Sequence, residues 1–216
     1  MEDNIENKKY IYILFLTTST KIGKIIRLIT RYRYNHVAIS LDKDLNNMYG
    51  FARYRKNVPL VGGFTQESKL RYFETDEVGV KVCEIEVDEE KYNDIIKYIE
   101  EMKKHKKEYM YNIFSAMAFP IHRKVKIKNS YICLEFIIHL LSKFNIEPEL
   151  KEENFYTIKQ LEKILSDKCF FEGKLNELVK PNNWGDDEYI KEETFREATI
   201  DTIAQVGKLI NRKISN

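Results

Sequence analysis

The feature that most constrains this chain is an apolar segment that opens with a polar turn and carries a cysteine near its start. It covers residues 129–141, NSYICLEFIIHLL, and predicts a helix. Asn129 or Ser130 is expected to cap this helix, because a short side-chain oxygen accepts a hydrogen bond from an unpaired amide two or three residues later. Cys133 then lies in the first turn, where the helix dipole favours a negatively charged thiolate. This pattern is typical of a nucleophile, although many intracellular cysteines are simply buried core residues.

Composition narrows the class of protein. The 216 residues are enough for one domain with a sizeable core, and 36 Lys and Arg against 34 Asp and Glu argue against a dedicated nucleic-acid binder. Three widely spaced cysteines, Cys83, Cys133 and Cys169, suit a reducing compartment better than a disulfide framework, and no Cys/His cluster indicates a structural zinc site. The apolar run at 10–16 is too short to span a bilayer and is a poor signal peptide. We therefore expect a cytoplasmic protein without a metal, a cofactor or a stable membrane span.

Hydrophobic periodicity predicts a mixture of strands and helices. Strands are predicted at 10–16, 35–41, 48–54 and 78–87, with a closing strand or turn at 169–173. Helices are predicted at 17–30 with their caps, 88–104, 109–120, 131–144, 156–165 and 194–214. Residues 58–64, rich in Gly and Pro, are predicted to form a loop.

The same patterns divide the chain into three parts. Residues 1–9 are predicted to be a flexible leader and residues 10–180 to be the main domain. After Pro181 a polar break leads into an amphipathic tail, so that residues 181–216 form a third part. The tail could dock on the domain, form a homodimer contact or bind a partner.

A cysteine nucleophile needs a base within hydrogen-bonding reach, usually a histidine. His105 lies in a lysine-rich stretch and His122 in a basic loop, so both are poor candidates. His139 is six residues after Cys133 on the same helix, which turns it away from the thiol. His36 remains, at the start of a predicted strand that would hold its ring rigidly. The alternative is that His36 is an ordinary, half-buried strand residue.

The order of these two segments resembles a known family. The residues NHVAI at 35–39, followed much later by YICLEFI at 131–137, are similar to the permuted papain-like branch of the NlpC/P60 superfamily, the YiiX-like group. In that branch the histidine strand precedes the cysteine helix. Further similar stretches lie at 11–20, 23–27, 49–53, 62–64 and 171–173. The resemblance spans about residues 10–178 and implies an α+β, papain-like NlpC/P60 fold of circularly permuted order, with an antiparallel sheet packed on the nucleophile-bearing helix.

The resemblance also implies an activity. The chain would be a cysteine hydrolase or acyltransferase that acts on an amide, ester or thioester, with Cys133 as nucleophile and His36 as general base. The backbone amide of Cys133 would help to stabilise the oxyanion. Tyr131 and Tyr34 are expected to contact the substrate, a peptide or a lipid-like acyl group. The aromatic, Met-bearing segment 109–119 favours an apolar substrate.

The sequence departs from the family pattern in two places. Leu134 follows the cysteine where relatives often have a small Ser. In addition, a hairpin that pairs Leu41 with Asn47 places His36 opposite Ala52, which is not the carboxylate needed to orient an imidazole. Glu67, just beyond the predicted loop, is the candidate for this role, and a main-chain carbonyl or a water are the alternatives.

Two other function classes stay open at this level. The absence of an acid beside the histidine, together with the tail, fits a catalytically inactive binding or interaction module of the same fold. Basic residues at 31–33 and 123–128 fit attachment to a membrane surface or a nucleic acid.

Overall fold

The computed structural model describes residues 8–18, 21–73, 78–180 and 187–215, which form an α+β fold around one eight-stranded, mostly antiparallel sheet. The strands are β1 (Lys9–Leu16), β2 (His36–Ser40), β3 (Met48–Arg53), β4 (Gly62–Glu67), β5 (Gly79–Val87), β6 (Met110–Tyr111), β7 (Ser130–Tyr131) and β8 (Cys169–Lys174). Their order across the sheet is β7-β6-β4-β3-β2-β1-β5-β8, and only β6 and β7 pair in parallel. The helices are α1 (Lys21–Thr30), α2 (Leu70–Phe73), α3 (Glu89–Lys104), α4 (Ile113–Ala118), α5 (Cys133–Lys143), α6 (Ile158–Ile164), α7 (Leu175–Leu178), α8 (Asp187–Ile190) and α9 (Phe195–Ile214).

Some predictions fall outside the described residues. These are the leader at 1–9, apart from its last two residues, the predicted cap residues Ser19 and Thr20, and most of the polar break after Pro181. Of the helices in the described ranges, none has the length and apolar character needed to cross a membrane.

Strand β1 lies inside the sheet, between β2 and β5, and is covered on both faces. Ile11, Ile13 and Phe15 point into the larger core beneath α3 and α5, while Leu14 and Leu16 point into a second core on the other face. A strand buried on both sides needs apolar residues at every position. This is why the sequence at 10–16 shows a continuous apolar run rather than an alternation.

The hairpin of β2 and β3 has the predicted register. Leu41 N–H donates to the carbonyl of Asn47 at 3.1 Å, and Ile39 pairs with Tyr49. The carboxylate of Asp42 accepts the amides of Asn46 and Asn47, at 2.9 and 2.7 Å, and so fixes the turn. The prediction for this hairpin is confirmed.

Two other segments differ from the prediction. The last three of the seven residues in the predicted loop at 58–64 belong to β4, which starts at Gly62. Gly63 lies against the carbonyl of Tyr109, where a side chain would have no room, so this glycine allows two strands to approach closely. The predicted helix at 109–120 is correspondingly shortened: Met110 and Tyr111 form β6, and α4 begins after Asn112, whose side chain caps it.

A disulfide joins Cys83 of β5 to Cys169 of β8, which lie opposite each other in the sheet. The prediction that the cysteines form no disulfide is wrong for this pair. The two residues are 86 positions apart, and only the pairing of the two strands brings them together. Cys133 is the free cysteine.

The tail docks on the domain through one face of α9. Gln205 and Leu209 are buried there, and the Gln205 side chain bonds to Gly62 N–H at 3.1 Å and to the carbonyls of Leu60 and Tyr111 at 3.2 and 3.3 Å. The apolar residues that the sequence pattern singled out on this helix divide between core and surface. Leu209 is buried, Ala198 and Val206 are partly buried, and Phe195, Ile203 and Ile210 are exposed.

Candidate active site

Helix α5 begins at Cys133, two residues later than the sequence suggested. Ile132 is the N-cap residue, and its amide donates to the carboxylate of Glu135 at 3.1 Å. The second oxygen of Glu135 accepts the hydroxyl of Ser115 at 2.6 Å, so this buried carboxylate is held on both sides. Burial raises the pKa of Glu135, partly offset by these two hydrogen bonds. The first turn of α5 is therefore fixed from within the core.

The predicted caps have other roles. Ser130 belongs to β7 and pairs with Met110 of β6, so the chain is still extended there and cannot start a helix. Asn129 has a φ of 53°, a left-handed conformation that Asn tolerates in a tight turn. The prediction that either residue caps α5 is wrong, but Cys133 still lies in the first turn, at the positive end of the helix dipole.

The structure brings Cys133 and His36 together. The Cys133 sulfur lies close enough to the His36 ring to raise the pKa of that ring, although 97 positions of sequence separate the two residues. Both are nearly enclosed, with Cys133 7% and His36 9% exposed. The His36 Nε2 atom lies 2.9 and 3.0 Å from the two carboxylate oxygens of Glu67. This leaves Nδ1 as the ring nitrogen that can exchange a proton with the Cys133 sulfur.

Glu67 reaches His36 from two strands away. It ends β4, not a loop as predicted, and β3 lies between β4 and the strand of His36. Gly50 of β3 makes this reach possible, because a Cβ atom at that position would overlap the Oε1 atom of Glu67. The alignment of sulfur, imidazole and carboxylate is the geometry in which a base accepts a proton and a third group holds its ring.

Two further residues of α2 support this carboxylate, and the sequence analysis missed both. The hydroxyl of Tyr72 donates to Glu67 Oε2, and its ring stacks on that of His36 with centroids 6.4 Å apart. Arg71 contributes positive charge near Glu67. The Arg71 guanidinium also lies over the ring of Tyr189, 4.5 Å from the ring centroid. The tail therefore contacts α2 next to the site. Arg71 and Tyr72 were missed because α2 has only four residues, too few to give a periodic signal in the sequence.

The electrostatics of the site favour a charged pair. Burial lowers the pKa of His36, but the Glu67 carboxylate and the Cys133 sulfur together outweigh it and raise the pKa to about 10. Burial raises the pKa of Glu67, but the His36 ring, Arg71 and Tyr72 lower it by more. The net result is a lowered pKa. A buried carboxylate and imidazole that satisfy each other are thus held as an ion pair.

The two tyrosines predicted to contact substrate are placed differently. Tyr131 is half-buried, packs on Phe51 with ring centroids 5.2 Å apart, and lies two residues from the thiol. Tyr34 is only 1% exposed and packs on Phe15 in the core, so it has no free surface for a substrate. Tyr111, which the sequence analysis did not single out, pairs with Tyr131 between β6 and β7. Burial raises the pKa of Tyr111, and its neighbours Cys133 and Glu135 raise it further.

The other histidines are elsewhere, as expected. His139 Nε2 bonds to the hydroxyl of Tyr98 at 2.9 Å. Its Nδ1 lies 2.9 Å from a Glu152 oxygen but is not oriented to bond with it. His105 is exposed and lies near Glu108. Among the residues that the structure describes, no three His, Cys, Asp or Glu side chains form a group that could hold a metal ion.

No family model matches the chain, and neither a curated protein nor a solved structure matches it. Any functional conclusion therefore depends on the residues and contacts given above.

Proposed function

We propose that this chain is a cysteine hydrolase or acyltransferase in which Cys133 is the nucleophile, His36 the general base and Glu67 the residue that orients the base. The observation that carries the proposal is that the His36 ring bonds through Nε2 to the Glu67 carboxylate and lies near enough to the Cys133 sulfur for that sulfur to raise the pKa of the ring. A thiol at a helix N-terminus beside an imidazole is the arrangement that activates a cysteine.

The chemistry follows from this arrangement of thiol, imidazole and carboxylate. The Cys133 sulfur attacks the carbonyl carbon of an amide, ester or thioester, and the bond to the leaving group breaks as His36 donates its proton to that group. A thioester between the acyl group and Cys133 results. Water, or another acceptor in a transferase, then gives a proton to His36 and attacks the thioester, which releases the acyl product and restores the sulfur.

The backbone amide of Cys133 supports the oxyanion in this scheme. As the first residue of α5, Cys133 has an N–H that lacks a partner within the helix. Such an amide stabilises negative charge on the substrate oxygen at the moment when it develops. The carboxylate of Glu135 fixes the preceding residue and so holds this turn in place.

The proposal includes the fold. A permuted, papain-like NlpC/P60 arrangement requires a histidine strand that precedes a cysteine helix packed on an antiparallel sheet. Helix α5 packs chiefly on β2 and β3, the first of which begins with His36. The substrate class that we propose is a peptide-type or lipid-like acyl compound, since Tyr111 and Tyr131 provide an aromatic, half-buried surface near the sulfur.

Mass spectrometry of the peptide that contains Cys133 tests this function. The protein is incubated with activated esters, thioesters and aminoacyl amides of increasing acyl length. We expect an acyl adduct on Cys133 in the native protein, much slower formation in His36→Ala, and none in Cys133→Ala. If the native protein and His36→Ala formed the adduct equally slowly with every compound, the enzymatic proposal would be wrong.

One observation favours the second candidate, a binding module of the same fold: the thiol and the imidazole are almost fully enclosed. Glu67 beside His36 supplies the acid whose absence from the neighbouring strand was one reason for that alternative. A ligand that binds native protein and Cys133→Ala equally, without any adduct, would favour the binding module.

A further inference from the structure

The segment around α1 has a charge unlike the rest of the chain. Positive and negative side chains are nearly balanced over the whole sequence, at 36 and 34, but residues 8–41 contain no Asp or Glu. All charged residues of this segment are basic: Lys8, Lys9, Lys21, Lys24, Arg27, Arg31 and Arg33. Lys8 and Arg33 form ion pairs with Glu86 and Glu172, so the basic residues that could meet an acidic partner are chiefly those on and directly after α1.

Helix α1 also exposes apolar side chains. Leu28 is 79% and Ile29 52% exposed, and α1 packs only sparsely on the other described elements. Lys24 is exposed and, four residues before Leu28, lies on the same side of the helix; Arg31 is also exposed and follows directly after the last residue of α1. Among the described residues, neither cation has an ion-pair partner. The face formed by Lys24, Leu28, Ile29 and Arg31 is called the α1 face below.

We propose that the α1 face docks on the surface of an anionic lipid bilayer. An interfacial helix inserts aliphatic side chains among the acyl chains while its Lys and Arg residues contact the acidic headgroups. The α1 face supplies both groups side by side. A nucleic acid would use the cations for its phosphates but would leave Leu28 and Ile29 in water.

The α1 face is linked to the candidate active site. Asn35, the residue before His36, accepts hydrogen bonds from the Thr18 amide at 2.7 Å and from the Arg27 guanidinium at 3.3 Å. These bonds tie both ends of the α1 segment to the start of β2. If the proposed function is also correct, docking would bring an acyl substrate from the lipid phase toward Cys133; the docking itself does not depend on catalysis.

Co-sedimentation with lipid vesicles tests the docking. Cys133→Ala protein is mixed with vesicles of phosphatidylcholine alone or of phosphatidylcholine with phosphatidylserine, so that no reaction complicates binding. We expect binding to the anionic vesicles, weakened by high salt, and much weaker binding to the neutral vesicles. The double variant Lys24→Ala/Arg31→Ala should bind the anionic vesicles about 30-fold more weakly, and Leu28→Ser/Ile29→Ser at least about tenfold more weakly.

Matched controls use equivalent side chains elsewhere. Met117→Ser/Ile121→Ser removes two apolar residues that are 76% and 68% exposed, and Lys97→Ala/Lys104→Ala removes two exposed cations of α3. Both controls should bind like the parent protein, and thermal melts should show that all variants stay folded. The proposal is overturned if the parent does not bind, if the controls lose as much binding as the α1 variants, or if a DNA duplex competes fully with the vesicles. Since every protein here lacks the thiol, these results do not depend on whether Cys133 forms an acyl adduct.

Discussion

Glu67 can reach His36 only because the residue between them in the sheet, Gly50, has no side chain. Gly50→Ala would place a methyl group where the Oε1 atom of Glu67 lies. Since the pocket around Glu67 is closed, we expect the carboxylate to leave His36 and the protein to lose about 1–3 kcal/mol of stability. Urea denaturation measures the loss, and Gly207→Ala on α9 is the matched control because its new methyl group would meet open space. The control should be neutral or more stable by up to about 1 kcal/mol; equal losses in both variants would contradict the role of Gly50.

The charge of His36 should depend on Glu67. The raised pKa of His36, about 10, means that its charged form stabilises the fold fully below its ordinary pKa near 6.5 and that this stabilisation is lost as the pH rises through about 10. For Glu67, whose pKa is lowered, the stabilisation is present above the ordinary carboxyl pKa and is lost as the pH falls through the folded value. The ion pair of Glu67 and His36 is therefore most stabilising between the ordinary carboxyl pKa and the ordinary imidazole pKa near 6.5.

Glu67→Gln keeps the shape of this residue but removes the charge that raises the pKa of His36. Burial still lowers the pKa of His36 and only the Cys133 sulfur is left to raise it, so we expect the pKa of the ring to fall below its value in the native protein. Proton NMR titration of the His36 ring measures this directly. The exposed carboxylate variant Glu86→Gln is the control and should leave His36 unchanged. A native ring that titrates near 6.5 would show that the charged pair does not exist.

Helices and strands differed in how well the sequence predicted them. The long apolar or amphipathic elements α3, α5, α9, β1 and β5 were predicted because each carries a strong period or a continuous apolar run. The two-residue strands β6 and β7 were not, since they exist only by pairing with each other. This pairing also delays the start of α5 to Cys133 and makes the predicted caps wrong.

The tail holds β4 and β6, the two strands next to the edge strand β7, through Gln205. Its buried side chain bonds to Gly62 of β4 and to Tyr111 of β6. Gln205→Leu would leave the Gly62 amide without a partner, which should cost about 1–3 kcal/mol and increase hydrogen exchange at Gly62. Lys208→Ala, an exposed change on the same helix, should have little effect. If both variants exchanged and unfolded alike, α9 would not support these strands.

At the scale of the whole molecule, the sequence predicted which residues form the candidate site better than it predicted the elements on which they lie. His36 and Cys133 were singled out because each begins a rigid element and because the other histidines lie in unsuitable places. Glu67 was chosen as the orienting residue, but its position on β4 depends on strand pairing that no local pattern encodes. Tyr72 and Tyr111 were missed for the same reason, since they belong to a four-residue helix and a two-residue strand.

The Cys83–Cys169 disulfide is another long-range feature that the sequence did not predict. Cross-linking residues 86 positions apart should stabilise the fold by about 4 kcal/mol, so reduction should lower the unfolding free energy by about that amount. Thiol titration in denaturant checks the bond itself. One of the three cysteines should react without reductant and all three with it. Three reactive thiols in the untreated protein would contradict the disulfide.

The central claim is the proposed one, that the His36 ring takes the proton of the Cys133 thiol and so makes the sulfur a nucleophile. The most direct measurement is the ultraviolet absorbance of the thiolate, taken as the difference between native protein and Cys133→Ala at neutral pH, because it does not require a reagent to enter an enclosed site. The account predicts a thiolate band in the native protein that disappears in His36→Ala. A native protein whose thiolate band appears only at alkaline pH, as in His36→Ala, would contradict the account.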